Sequence, residues 1–213
     1  MRNDLIICDW SGTISDDLLP VWRTNNLMLM KYGLPAIEFE QFIRNSSKSI
    51  FEYYKEQEKD FKNDAVINDF CQFFEYVKRQ GVAPKAYDDA SEFLEDLSSK
   101  NKLIAVVSSH PEKFVLREAE YYGFDDFFTI MRGGVYDKAK VIGEVLNELA
   151  VENERTVYIG DTTFDMEAAQ RAEVQGFALC RGYHPRELLE KVMPKEKIFN
   201  NLIDVLDSGV LGT

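Results

Sequence analysis

The chain is poor in the features that mark a secreted, membrane-bound or nucleic-acid-binding protein. It has three cysteines in 213 residues, Cys8, Cys71 and Cys180. They are far apart, odd in number and without metal-ligand spacing, so they read as reduced thiols and not as a disulfide framework or zinc site. No apolar run approaches the length of a transmembrane helix, and the N-terminus shows no signal-peptide core. Basic charge is scarce. Lys and Arg number 25 against 37 Asp and Glu, for a net charge of −12 and a pI near 4.7. That balance argues against a broad nucleic-acid or anionic-membrane surface, though not against a local pocket for a small anion. Internal repeats and low-complexity segments are also missing. What remains is an ordinary globular composition, 45% hydrophobic and 29% charged, enough for one large domain or a core with a smaller insert. A cytoplasmic protein, monomeric or homodimeric, is expected.

The chain is organised around Leu5-Ile6-Ile7-Cys8-Asp9-Trp10-Ser11-Gly12-Thr13. The short apolar run reads as a buried strand, and turn chemistry follows it. Asp9 falls where that strand ends, the edge at which open parallel sheets bind ligands. A carboxylate there is costly unless a cation or donors meet it. From this stretch alone, a turn or cap role for Asp9 stays equally open.

Residues 16–32, 38–59 and 63–80 carry apolar residues at helical spacing, and no strand pattern appears between 14 and 83. This predicts an all-helical insert over 15–83, within a core made of 1–14 and 84–213. From residue 87 the rhythm alternates. Helices are expected over 88–100, 112–122, 138–150, 163–172 and 186–192. Strands are expected at Leu103–Val107, Phe127–Met131, Thr156–Ile159, Gly176–Cys180 and Lys197–Phe199. Such alternation predicts an α/β fold, a Rossmann-like doubly wound parallel sheet carrying the inserted helical domain.

Strand ends of that sheet would then bring Asp9, Thr13, Ser108, Lys138, Asp161 and Asp165 to one crevice. Hard oxygen ligands, a lysine and a hydroxyl suit Mg²⁺ with a phosphoryl group. Here the chain resembles the haloacid dehalogenase superfamily, most of all its phosphoglycolate-phosphatase-type branch. The motifs are Asp9-Trp10-Ser11-Gly12-Thr13, Ser108, Lys138 and Gly160-Asp161-Thr162-Thr163-Phe164-Asp165, with Gly182-Tyr183-His184 and the helical insert also similar. The resemblance implies Asp9 as nucleophile and Mg²⁺ ligand, the Ser11 carbonyl as a second ligand, and Asp161 as a third. Asp165 would be a ligand or lie beside one. Ser108 and Lys138 would hold the phosphoryl group, with Gly12, Thr13, Ser109 and His110 shaping the substrate side. The insert would be a cap, in which Arg44 and Lys48 are candidates to recognise a small phosphorylated metabolite.

One position departs from that pattern. The superfamily's phosphatases have a second aspartate two residues after the nucleophile, as proton donor and water activator. Here it is Ser11, which is no general acid at neutral pH. Three readings follow: a slow phosphatase or one suited to good leaving groups, with Asp16 or His110 as stand-in acids; a phosphonoacetaldehyde-hydrolase-like enzyme using Lys48; or a catalytically weak binding protein. Asp16 reads more simply as a helix cap, and His110 as a loop residue.

Overall fold

A computed structural model describes residues 4–45 and 63–212, leaving the side chains of 44, 45, 63 and 64 undescribed. It divides into two compact units, Met1–Asp16 with Lys85–Thr213, and Asp17–Pro84.

The larger unit is built on a six-stranded sheet in the order β5-β4-β1-β6-β7-β8. Its strands are β1 (Leu5–Cys8), β4 (Leu103–Val107), β5 (Ile130–Arg132), β6 (Thr156–Gly160), β7 (Gln175–Leu179) and β8 (Ile198–Phe199). Every pairing is parallel. The chain builds outward from β1 through β4 and β5, then returns to its other side for β6, β7 and β8. The order therefore reverses at β1, the switch point at whose carboxyl end open α/β sheets bind ligands. Asp9 begins there.

The four residues of β1 show why the strand is central. All are fully buried, and alternation sends them to two cores. Ile6 and Cys8 pack with Phe93, Leu94 and Leu97 of α4 (Ala90–Ser99) and Val115 and Ala119 of α5 (Glu112–Tyr122). Leu5 and Ile7 pack with Ile142, Val145 and Leu146 of α6 (Lys138–Leu149) and Ala168 and Ala169 of α7 (Thr163–Arg171). Truncating Ile7 to alanine would cost about 2–5 kcal/mol.

The smaller unit contains α1 (Leu18–Lys31), α2 (Phe39–Asn45) and α3 (Asn63–Arg79). Met28 and Leu29 of α1 bury against Val66 of α3, with Phe70 and Phe73 packed alongside. Lys31 and Tyr32 both hold Asp69, each at 2.6 Å.

Several boundaries differ from the sequence reading. Ser15–Asp16 forms a short strand, β2, antiparallel to β3 at Lys85–Ala86. Asp16 therefore lies in a ladder, its carboxylate 4.0 Å from Lys85, while Asp17 occupies the N-cap position of α1. Phe127 belongs to a 3₁₀ turn, Asp125–Phe127, and not to β5. The short helices α8 (Arg186–Leu189) and α9 (Leu202–Asp207) close the chain. The first ends earlier than expected. The second was not expected at all, and forms because the Asn201 side chain caps it and Leu202 and Val205 bury.

Candidate active site

Three adjacent strands deliver the site. Asp9 follows β1, Ser108 follows β4 and Asp161 follows β6, and the pairings β4–β1–β6 place these ends side by side. Lys138 enters from the first residue of α6 and Asp165 from the first turn of α7. Carboxylate oxygens of Asp9, Asp161 and Asp165 lie within 4.8 Å of one another, all three residues buried. Lys138 Nζ stands 2.6 Å from Asp165 Oδ1 and 3.0 Å from Asp9 Oδ1. The contact to Asp165 is a hydrogen bond. Three carboxyl groups share one ammonium, so two of them have no cationic partner of their own.

The three carboxylates differ in how far their neighbours satisfy them. Asp165 accepts from Lys138 and from the Tyr158 hydroxyl at 3.1 Å on one oxygen. Its other oxygen takes the backbone N–H groups of Asp161 and Thr162, at 3.2 and 3.0 Å, and the Thr162 hydroxyl at 2.6 Å. Thr162 and Asp165 thereby form a capping box at the start of α7. Burial alone would raise the Asp165 carboxyl, but Lys138 outweighs it and holds it below the usual carboxylate range.

Asp161 is the reverse. It accepts the Tyr183 N–H at 2.5 Å and, distantly, the Thr13 hydroxyl at 3.5 Å. Burial, then the charges of Asp165 and Asp9, push its carboxyl well above the usual range. Asp9 is raised too, by burial, although Lys138 and the Ser108 hydroxyl, which donates to it, pull back. Burial opposes the charge on Lys138, but Asp165 and Asp9 prevail and hold it firmly protonated.

Backbone shape makes room for Asp161. Gly12 adopts φ +72°, and a Cβ on it would run into Asp161 Oδ2; a Cβ on Gly182 would do the same. Two glycines from separate loops thus let backbone close over one carboxylate.

The other residues marked from sequence fall around this centre. Ser11 is half-buried, between Asp9 and the tight turn in which Gly12 N–H donates to Ser15 O at 2.8 Å. Ser108 is buried and its hydroxyl also accepts the His110 N–H at 3.2 Å. Ser109 is exposed. The His110 ring is buried, with Nε2 3.6 Å from Glu118 Oε1. Of the two proposed stand-in acids, Asp16 lies 4.0 Å from Lys85 and His110 faces Glu118. The Arg44 side chain and Lys48 lie outside the described residues, as does anything the Lys48 reading would need.

Sequence reasoning marked the Gly182-Tyr183-His184 stretch but missed Glu118, Tyr158 and Arg181. Arg181 grips Asp89 with two 2.7 Å bonds and donates to Thr13 O at 2.8 Å, which fastens the loop after β7 to the loop after β1. Tyr158 sits inside a strand and gave no sequence signal.

The sequence profile of the haloacid dehalogenase-like hydrolases matches residues 6–179, from within β1 to the end of β7. The chain belongs to the haloacid dehalogenase-like hydrolase family. Among curated relatives, a phosphoglycolate phosphatase from Psychrobacter arcticus is 25% identical, with 97% of this chain and 96% of that protein covered. Another from Aliivibrio fischeri is 26% identical over 89% of each. Of solved structures, a predicted phosphatase from Clostridium acetobutylicum superposes with a TM-score of 0.81 at 19% identity, covering all of both chains. A haloacid dehalogenase-like hydrolase from Streptococcus pneumoniae gives 0.79 at 20%, over 96% of this chain and 97% of that one. The enzyme is thus a haloacid dehalogenase-like hydrolase with the family's parallel-sheet fold. No described helix is long and apolar enough to cross a membrane.

Proposed function

We propose that this haloacid dehalogenase-like hydrolase is a Mg²⁺-dependent phosphohydrolase acting on a small phosphorylated metabolite, in the manner of the phosphoglycolate phosphatases it resembles. One observation carries the reading: three buried carboxyl groups converge with a single lysine, so two of them have no cationic partner of their own. The donor set fits Mg²⁺. It is all hard oxygen, and the two carboxylates pushed upward, Asp9 and Asp161, are those with least cationic compensation. Asp9, Asp161 and the Ser11 carbonyl would hold the ion. Asp165, already satisfied, would fix Lys138 and the start of α7. When bound, Mg²⁺ would offset the charge of the phosphoryl group against that of the carboxylates.

Asp9 is the nucleophile in this reading. Its oxygen forms a bond to phosphorus while the bond from phosphorus to the leaving oxygen breaks, giving an aspartyl phosphate. Lys138, held protonated by Asp165, neutralises charge on the transferring group. The Ser108 hydroxyl turns from Asp9 to a phosphoryl oxygen. Water then attacks phosphorus, the bond to Asp9 breaks, and the proton leaves to solvent. With Ser11 where a carboxylate would assist both steps, turnover is expected to be slow and to favour good leaving groups. The helical unit Asp17–Pro84 is proposed as the cap that selects the substrate, with Arg44 and Lys48 among its recognition groups.

Turnover of an aryl phosphate with Mg²⁺ tests this on three proteins. Asp9→Asn should lose at least about 10⁴-fold in kcat. Ser11→Asp should gain, up to the ~10²–10⁴ that acid–base assistance supplies. Full activity in Asp9→Asn would refute the nucleophile. A Ser11→Asp protein no faster than wild type would show that proton transfer is already provided elsewhere.

A further inference from the structure

Beneath the site lies a second buried polar cluster that the proposed chemistry does not use. Its centre is Glu118, on the inner face of α5 and 4% exposed. One carboxyl oxygen, Oε2, accepts from the Trp10 indole N–H at 2.7 Å and from the Ser15 hydroxyl at 3.3 Å. The other faces His110 Nε2 at 3.6 Å. Trp10 is fully buried, immediately follows Asp9, and stacks on Tyr122 with ring centroids 5.9 Å apart. The Tyr122 hydroxyl is 3.0 Å from Ser15 Oγ. His110 follows Ser108 by two residues and its backbone N–H bonds the Ser108 hydroxyl.

We infer that Glu118 is a positioning residue: it ties the Asp9–Ser15 loop, which carries the nucleophile, to the Ser108–His110 loop, which carries the phosphoryl-binding hydroxyl. The physical case is one of location. A buried carboxyl group is costly and persists only when its partners are in place. Here those partners come from two loops whose first residues, Asp9 and Ser108, also meet. Tilting the Trp10 indole moves the backbone next to Asp9, and displacing the His110 backbone moves the donor on Ser108. Reacting groups misplaced by about 1 Å can cost about 10²-fold in rate, so a cluster that touches no substrate can still set kcat.

The inference rests on the phosphohydrolase reading, and the experiment separates the two. Glu118→Gln, Trp10→Phe and the double variant are assayed with an aryl phosphate and Mg²⁺, with thermal midpoints measured in parallel. Trp10→Phe keeps an aromatic ring against Tyr122 and removes the indole donor together with part of the ring's volume, and kcat per folded molecule separates the lost tie from the lost packing. Each single variant is expected to lower kcat per folded molecule about 10- to 100-fold, with KM within about threefold. The double variant should be no slower than the worse single one, because both break the same tie. Unchanged kcat per folded molecule, a loss confined to KM, or losses that multiply in the double variant would each overturn it. If Glu118→Gln does not fold, Trp10→Phe alone decides by the same kcat criterion. Wild-type turnover with unaffected variants refutes this inference alone; no wild-type turnover refutes the phosphohydrolase reading and this inference with it.

Discussion

Asp165 and Asp161 stand four residues apart, equally buried, at the two ends of one turn, yet they have opposite electrostatic lives. Asp165 is met by a lysine, a tyrosine, a threonine hydroxyl and two backbone N–H groups. Asp161 is met by one close N–H and a distant hydroxyl. The neighbours of the first satisfy it fully; those of the second leave most of its acceptor capacity unused. Burial does not make a carboxylate functional. What its neighbours leave unsatisfied does.

The largest effect that would break this contrast is on Asp165. Asp165→Asn leaves Lys138 without its closest partner and loosens the cap of α7. It should cost about 3–5 kcal/mol, read as a fall in the denaturation midpoint. A loss below 1 kcal/mol would mean that Asp165 is not the structural carboxylate. Next, Gly182→Ala drives a methyl group into Asp161 Oδ2 and should cost about 1–3 kcal/mol, with weaker Mg²⁺ binding in a titration. Tyr158→Phe removes a hydroxyl shared by Asp165 Oδ1 and Val107 O, for about 1–3 kcal/mol. Asp161→Asn should act in the other direction without metal. It removes a charge repelled by Asp9 and Asp165 while keeping an acceptor for Tyr183, so the metal-free protein should melt higher, by about 2–4 °C per kcal/mol relieved.

The smallest effect is a slope in pH. Asp161 and Asp9 have folded-state values raised above their unfolded ones, so their contribution to metal-free stability is complete below the ordinary carboxylate range and is lost as pH rises through the raised values. Asp165 is lowered, so its contribution is present above that range and is lost as pH falls. Metal-free protein should therefore lose stability on going from mildly acidic to neutral pH, and Asp161→Asn should flatten that slope. Thermal melts in chelator across that range would show it.

Much of the fold was legible because its strands are short apolar runs ending in turn residues. The β4 strand and α5 lie where the periodicity put them, and parallel strands necessarily send their ends to one edge. That is why Asp9, Ser108 and Asp161 were found together. Lys138 and Asp165, each just past a strand end, were placed with them, but whether Asp165 is a ligand or lies beside one was left open. The difference between Asp161 and Asp165 depends on Lys138 and Tyr158 meeting Asp165 while Tyr183 N–H meets Asp161. Glu118 did leave a trace: it shares the buried stripe of α5 with Phe114, Val115 and Ala119, where an acid is out of place. Its partner Trp10 lies 108 positions away, a separation no local pattern spans. The β2–β3 ladder was unreadable for another reason, since two-residue strands are too short to alternate.

The central claim is that Asp9 and Asp161 hold a divalent cation and that Asp161 is indispensable to it. Calorimetric titration of Mg²⁺ into wild type and Asp161→Asn, repeated in buffers of different ionisation heat, tests this most directly. The account predicts binding by wild type with proton release near neutral pH, and no measurable binding by Asp161→Asn. Binding of equal strength by both proteins would contradict it.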